Sequence, residues 1–356
     1  MKKFLALLLA LCMVFALCAC GGSGDTDNEE GNNEPVNGDL IECEDMTLTF
    51  CCSCPDNTAW ANMARVFAEY INERVTGNFE VEVYALDQLT NGSQTEGIQA
   101  VADGTIDMSG HSNLIYSNFD QRLNVVSLPF IFDTTDDVDA AFNGDGYDAL
   151  LPIVENLGLH LLGVGENGFR HITNNKRAIE SLADLEGLVI RVAGAQVLKD
   201  EYAAWGANYT TANWSEVYTG LQTGTYEGQE NPLPTADAAS ITDVQNFCTY
   251  WTGVYDCVFF TMNQELYDSF SAEMQALIDE AGAYAAADQR VKNRADDGVT
   301  LEKWKNSGVT VTELSAEAAA EFKEAAKDVP AKFVQTCVDL GFDKAEVEAL
   351  VAIFTK

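Results

Sequence analysis

The chain has 356 residues, 47% of them hydrophobic and 10% aromatic, which is enough apolar material for two or three domain-sized cores and rules out a disordered chain. It carries 56 acidic against 20 basic residues, a formal net charge of −36, with no visible basic patch. Nucleic acid and anionic membrane surfaces are therefore excluded as natural partners.

Lys2-Lys3 precede an apolar run from Phe4 to Leu17 and then Cys18-Ala19-Cys20. A charged start, an apolar middle and small residues at the end are the parts of an export signal. The run is shorter than the roughly 20 residues a spanning helix needs, so residues 1–20 read as a cleaved signal peptide. Cys20 after Leu17-x-Ala19 resembles the bacterial lipobox. That resemblance implies lipidation of Cys20 and anchoring to the outer face of the cytoplasmic membrane, the only contact with membrane expected. Residues 21–44 are mostly Gly, Asn, Asp and Glu and read as a flexible acidic tether. Asp25-x-Asp27 is not a calcium loop, because Glu30 stands where the sixth-position glycine is needed.

The ordered part opens with a strand over Met46 to Cys52. A helix is expected from about Asn57 to Thr76, where Trp60, Met63, Ala64, Phe67, Ile71 and Val75 share one face and Gly77 is the stop. Phe79 to Tyr84 alternates as a strand, a second helix ends at Asp103-Gly104-Thr105, and Ile106 begins another strand. This alternation predicts a parallel sheet covered by helices.

Glu166 to Val192 holds two arginines, Arg170 and Arg191, that solubility alone does not require. Arg170 has an apolar, turn-prone setting. Arg191 lies inside the β-branched run Leu188-Val189-Ile190-Arg191-Val192. A guanidinium at the end of a mostly buried strand needs a partner, since an unpaired desolvated charge costs several kcal/mol. An internal Asp or Glu and an external anion both meet that need.

Val217 to Thr223 reads as a short helix turned by Gly224-Thr225, and Tyr226-Glu227-Gly228 echoes Ile106-Asp107-Met108. The echo fits two similar α/β lobes with a cleft between them. Ser271 caps a helix that runs to about Lys305, passing Met274, Leu277, Ile278, Ala281, Val291 and Trp304, long enough to lie across both lobes. Amphipathic segments over 316–329, 331–340 and 343–354 close the chain.

Ten cysteines include Cys51-Cys52-Ser53-Cys54, but no second cysteine pair follows to complete a zinc knuckle, so no metal site is expected. Seven remain once the signal and Cys20 are set aside. An odd number in an exported chain favours buried free thiols over a disulfide framework, with a Cys248–Cys257 pair left open. There are three histidines, and the chain has no G-x-S-x-G elbow, no H-E-x-x-H and no phosphate-cradling glycine loop. Neither catalysis nor a cofactor is expected. His160 and His171 read as framework residues.

Taken together, ENGFRHITN, LxGLxIRV, WSEVYTGLQTG and GQENP, in this order and spacing, resemble the DctP-type substrate-binding proteins of TRAP transporters, from about Leu48 to about Glu280. The resemblance implies an α/β, two-lobed, periplasmic-binding-protein-like fold with a long helix spanning both lobes. Lobe I would be 45–168 plus 257–296 and lobe II 169–256 plus 297–356. It implies capture of a small organic carboxylate and delivery to TRAP transporter membrane subunits. Arg191 matches the family's carboxylate clamp, which grips through two parallel N–H···O bonds. Arg170 matches its second basic contact, Asn231 in GQENP its amide contact, and Trp214 its aromatic wall. His111 and Cys54 would face the cleft from lobe I. Gly253 leaves empty a contact that the family often makes with histidine. A binding protein of another importer or a sensor, or an exported enzyme acting on an organic acid with His111 as its acid–base group, are the alternatives.

Overall fold

The structure, a computed structural model, describes residues 40–355. The expected signal peptide, Cys20 and nearly all of the expected tether lie outside the described residues.

Eleven strands are described: β1 Met46–Cys52, β2 Phe79–Tyr84, β3 Met108–Ser112, β4 Leu159–Phe169, β5 His171–Asn174, β6 Val189–Val192, β7 Asn208–Thr211, β8 Gly228–Asn231, β9 Phe247–Tyr250, β10 Tyr255–Asn263 and β11 Thr310–Glu313. They form two sheets, ordered β2-β1-β3-β10-β4 and β11-β9-β5-β8-β6-β7. In the first, β1 runs parallel to β2 and β3, as the alternation of strand and helix predicts, and β10 is antiparallel to β3 and β4. In the second, β6 is parallel to β7 and β8 while β5 is antiparallel to β8 and β9. The result is the two-lobed α/β architecture.

The helix after β1 covers Ala59–Asn72 and buries Trp60, Met63, Ala64, Phe67 and Ile71 at helical spacing. Phe67 meets Phe79 and Phe260 edge-on, with ring centroids 5.9 and 5.4 Å away, a favoured aromatic geometry. This helix stops before the expected Gly77. The Asn72 side chain bonds both backbone groups of Phe79, at 2.6 and 2.7 Å, and turns the chain into β2. Gly77 serves a close backbone approach instead, since a Cβ there would sit 2.4 Å from the Cys43 carbonyl oxygen.

The long helix spans Ala272–Lys305, with Ser271 accepting from the Met274 N–H as its cap. Its 34 residues reach about 50 Å. It presses on β4 through glycines: a Cβ on Gly163 would lie 2.8 Å from the Ala286 methyl, and one on Gly282 would lie 2.6 Å from the Leu162 oxygen. Its far end buries Trp304 in the second lobe's cluster, where the indole N–H donates to Asp237 at 2.9 Å. Val291 is 69% exposed. Gln289 and Asn293 face β4 and bond the Glu166 and Asn167 backbone, which rotates Val291 to the opposite side.

The C-terminal helices cover Ala316–Ala325, Val329–Asp339 and Lys344–Phe354. The first break falls at 326–328, with Pro330 inside the first turn of the next helix, where its missing N–H costs no bond. Phe322 packs on Trp205 and Trp251, while Phe354 packs on Phe142. All seven cysteines among the described residues are free. Cys248 and Cys257, left open as a pair, lie on β9 and β10 in different sheets.

The chain passes between the sheets at Arg170, at 251–254 and along the long helix. The first two passages are tied together: the Arg170 N–H donates to the Val254 oxygen and the Trp251 indole N–H to the Arg170 oxygen, both at 2.8 Å. Gly253 sits beneath the Trp251 ring, whose carbons would lie 2.7 Å from any added Cβ. Trp251 thus occupies the space that a histidine at 253 would need.

Candidate functional site

Arg191 is the third of four residues in β6, held between β7 and β8, and is 3% exposed. Its Nε and Nη2 both donate to the Ala212 carbonyl, at 3.0 and 2.6 Å. No carboxylate pairs with it among the described residues. Burial pushes its pKa down to about 10, with Arg170 adding to the effect and Glu230 opposing it. A guanidinium that bonds one carbonyl keeps most of its five N–H donors for other partners.

Arg170 is the opposite case. It sits between β4 and β5, with Nε and Nη2 on the Glu230 carboxylate and Nη1 on Asp256. Burial works against its charge, but Glu230 and Asp256 outweigh it and hold the pKa above the ordinary value. Glu230 lies on β8 and Asp256 on β10, so this one side chain joins the two sheets. Asp256 also accepts from Ser112 Oγ at 2.6 Å and from Asn167 Nδ2 at 2.7 Å. Its pKa is raised by burial against the pull of Arg170. Glu230 further accepts from the Ala193 N–H, two residues past Arg191, at 3.2 Å. Arg170, expected as a second basic contact, is therefore charge-compensated from within; its first task is to pin the lobes.

Trp214 opens the helix Trp214–Thr223, whose capping box joins Asn213 and Glu216. The Arg191 Cζ lies 5.8 Å from its ring centroid, within cation–π range. Asn231 ends β8, oriented by its Nδ2 bond to Gln229 at 2.9 Å. Arg191, Arg170, Asn231 and Trp214 all line one narrow chamber of about 30 Å³, together with Trp60, Gln94 and Thr235. A cleft of about 300 Å³ adjoins it and shares Gln94, Ile115, Arg191 and Trp214. Gln94 follows the turn that touches the other lobe, where Ser215 Oγ donates to the Gly92 oxygen at 3.2 Å.

His111 belongs elsewhere. Its ring is fully buried on β3, with Nε2 2.7 Å from Asp87 Oδ1, and it lines neither chamber nor cleft. The strand pleat turns it toward the helix Gln94–Ala102, against Gly97. Cys54 is also buried behind the lining, its thiol raised to about 12 by burial. His171 is a framework group: its Nδ1 accepts from the Trp251 N–H, and burial lowers its pKa to about 3.

The chamber holds one cation without a counter-anion, an aromatic wall and several neutral polar groups, a set suited to an organic anion. Over residues 50–336 the sequence matches the bacterial extracellular solute-binding protein family 7. The chain belongs to this family. A solute-binding protein of Verminephrobacter eiseniae is 32% identical over 85% of this chain and 88% of its own length. The 2,3-diketo-L-gulonate-binding periplasmic protein of Escherichia coli is 29% identical over 72% and 78%. Among solved structures, a TRAP periplasmic solute-binding protein from Ralstonia eutropha with bound (S)-2-acetolactate has a TM-score of 0.78 at 27% identity, covering 86% of this chain and 98% of its own. A sugar acid binding protein from Advenella mimigardefordensis in complex with galactonate has 0.79 at 26%, covering 87% and 98%.

In this solute-binding protein, sequence reading missed Glu230 and Asp256 as partners of Arg170, and Trp60 as a wall of the chamber. Trp60 carried the signal of a core residue at helical spacing, and its core packing is real. Its Nε1–H is nonetheless buried without an acceptor among the described residues.

Proposed function

We propose that this family 7 solute-binding protein captures a small organic monocarboxylate outside the cytoplasmic membrane and delivers it to the membrane subunits of a TRAP transporter. The observation that carries the reading is Arg191, a buried guanidinium on the chamber wall whose only hydrogen bonds among the described residues go to one carbonyl. A ligand carboxylate supplies the missing anion and accepts the donors that remain. Arg170 adds no free charge, so a second carboxylate would enter without a counter-ion, at a cost of several kcal/mol. Gln94, Asn231 and Trp60 share the chamber lining, polar groups that favour a ligand bearing hydroxyl or keto oxygens. The acids named for the relatives, diketogulonate, acetolactate and galactonate, share that chemistry.

The protein acts as a binder rather than an exported enzyme on an organic acid, since His111, the one acid–base candidate, lies outside the chamber lining. Thermal-shift screening is the test, because a ligand that binds only the folded state raises Tm by mass action. Hydroxy and keto monocarboxylates are expected to raise Tm by several degrees, about 5 °C at a hundredfold excess over Kd, and dicarboxylates of equal length much less. Stabilisation by dicarboxylates alone, or by neutral sugars, would overturn the reading.

We further propose that lipidated Cys20 holds the protein at the outer face of the membrane, on the strength of the Leu17-x-Ala19-Cys20 box and the polar tether after it. Cys20→Ser is expected to release the protein from the membrane fraction or leave it unprocessed. Unchanged processing and retention would count against the anchor.

A further inference from the structure

His111 stands at the centre of a second cluster, built from three separate segments. Cys51 comes from β1, Asp87 from the turn after β2 and His111 from β3, and their Sγ, carboxylate and ring-nitrogen atoms all lie within 4.8 Å of one another. All three are buried, at 0%, 1% and 0% exposure. The turn that carries Asp87 is inverted: it exposes Leu86 and Leu89, at 51% and 43%, while hiding its acid. Leu86 and Asp87 hold left-handed backbone, with φ of 57° and 50°, a conformation that costs free energy wherever a Cβ is present. Gly97 leaves room for the group, since a Cβ there would lie 3.0 Å from His111 Cε1 and 3.5 Å from Cys51 Sγ. Hydrogen bonding accounts for only part of the arrangement: His111 Nε2 lies 2.7 Å from Asp87 Oδ1, while Nδ1 is buried without a partner among the described residues and Cys51 Sγ adds a third donor atom beside the pair.

We propose that Cys51, Asp87 and His111 form a structural zinc site. A buried carboxylate and thiol beside an imidazole call for a cation that takes sulfur, nitrogen and oxygen together, which suits zinc and not calcium or magnesium. On binding, the Cys51 thiol releases its proton to solvent, and thiolate, carboxylate and neutral imidazole then balance Zn²⁺ to a net charge of zero. The three side chains supply three donors, and a water would take the fourth position of a tetrahedral zinc. Donors on a tetrahedral zinc lie about 3.3–3.8 Å apart, so the Nε2–Oδ1 pair at 2.7 Å opens and the sulfur closes in, by about 1 Å each. The site would fix the turn that leads to Gly92 and Gln94, and so the rim where one lobe meets Ser215 of the other. This departs from the expectation, drawn from the cysteine spacing, that no metal is bound.

The test uses the full chain, stripped with EDTA, given one equivalent of zinc and passed through gel filtration. About one zinc per chain by mass spectrometry and a Tm rise of about 5 °C are expected. Both should be lost in Cys51→Ser and His111→Asn, and cobalt in the wild-type protein should give a thiolate-to-metal charge-transfer band. That band decides the matter if the variants fail to fold. Less than about 0.1 zinc per chain in the wild type, undiminished zinc in Cys51→Ser, or cobalt bound without the thiolate band would overturn the site.

Discussion

Arg170→Ala is expected to leave little folded protein at physiological temperature. The change strands Glu230 and Asp256, two carboxylates almost fully removed from water, beside each other at the junction of the two sheets. Removing one partner of a buried ion pair costs about 3–5 kcal/mol, and here two acids lose theirs, against a total stability of about 5–15 kcal/mol. Melting of the unliganded variant is the check, with a Tm fall of at least about 6 °C expected. The triple change Arg170→Met, Glu230→Gln, Asp256→Asn removes the charges together and should recover most of the loss, as neutral replacements of whole buried networks do. An Arg170→Ala protein that melts like the wild type would show that the junction is held by something else.

Arg191→Ala should do the reverse: leave the unliganded fold intact and lose the ligand. Before binding, Arg191 pays the desolvation that lowers its pKa to about 10 and recovers only the Ala212 carbonyl, so its removal should leave unliganded Tm unchanged or higher. With an acid bound, the same guanidinium becomes half of a buried ion pair. Losing it costs about 3–5 kcal/mol, a hundredfold or more in Kd. Arg191→Lys keeps the charge but not the planar fork, and should also bind clearly more weakly. Titration calorimetry on both variants, with melting curves recorded without ligand, separates the roles. A collapse of unliganded Tm in Arg191→Ala would make this arginine structural.

The contrast between the two arginines marks how far the sequence could be read. The buried strand that carries Arg191 was legible because its β-branched neighbours are local, and the strand-to-helix alternation that shapes each lobe is local too. Arg170 looked like a second clamp because its partners lie 60 and 86 residues away, and no spacing rule joins them. His111 was misplaced for a related reason. Its environment is set by Asp87 on a turn with left-handed backbone at non-glycine residues, where local preference points to a different conformation. Trp60 satisfied the amphipathic pattern of its helix so well that the pattern hid its second face. Helical periodicity reports burial, and burial against a core and burial against a ligand chamber look alike in sequence.

Calorimetry of the wild-type protein with the acid found by thermal shift and with the matching primary amide is the most direct test of carboxylate capture by Arg191. The two molecules share shape and oxygens but not charge. The acid should bind at least about a hundredfold more tightly than the amide, with the difference largely gone in Arg191→Ala. Equal binding of amide and acid to the wild type would contradict a chamber organised around an unpaired guanidinium.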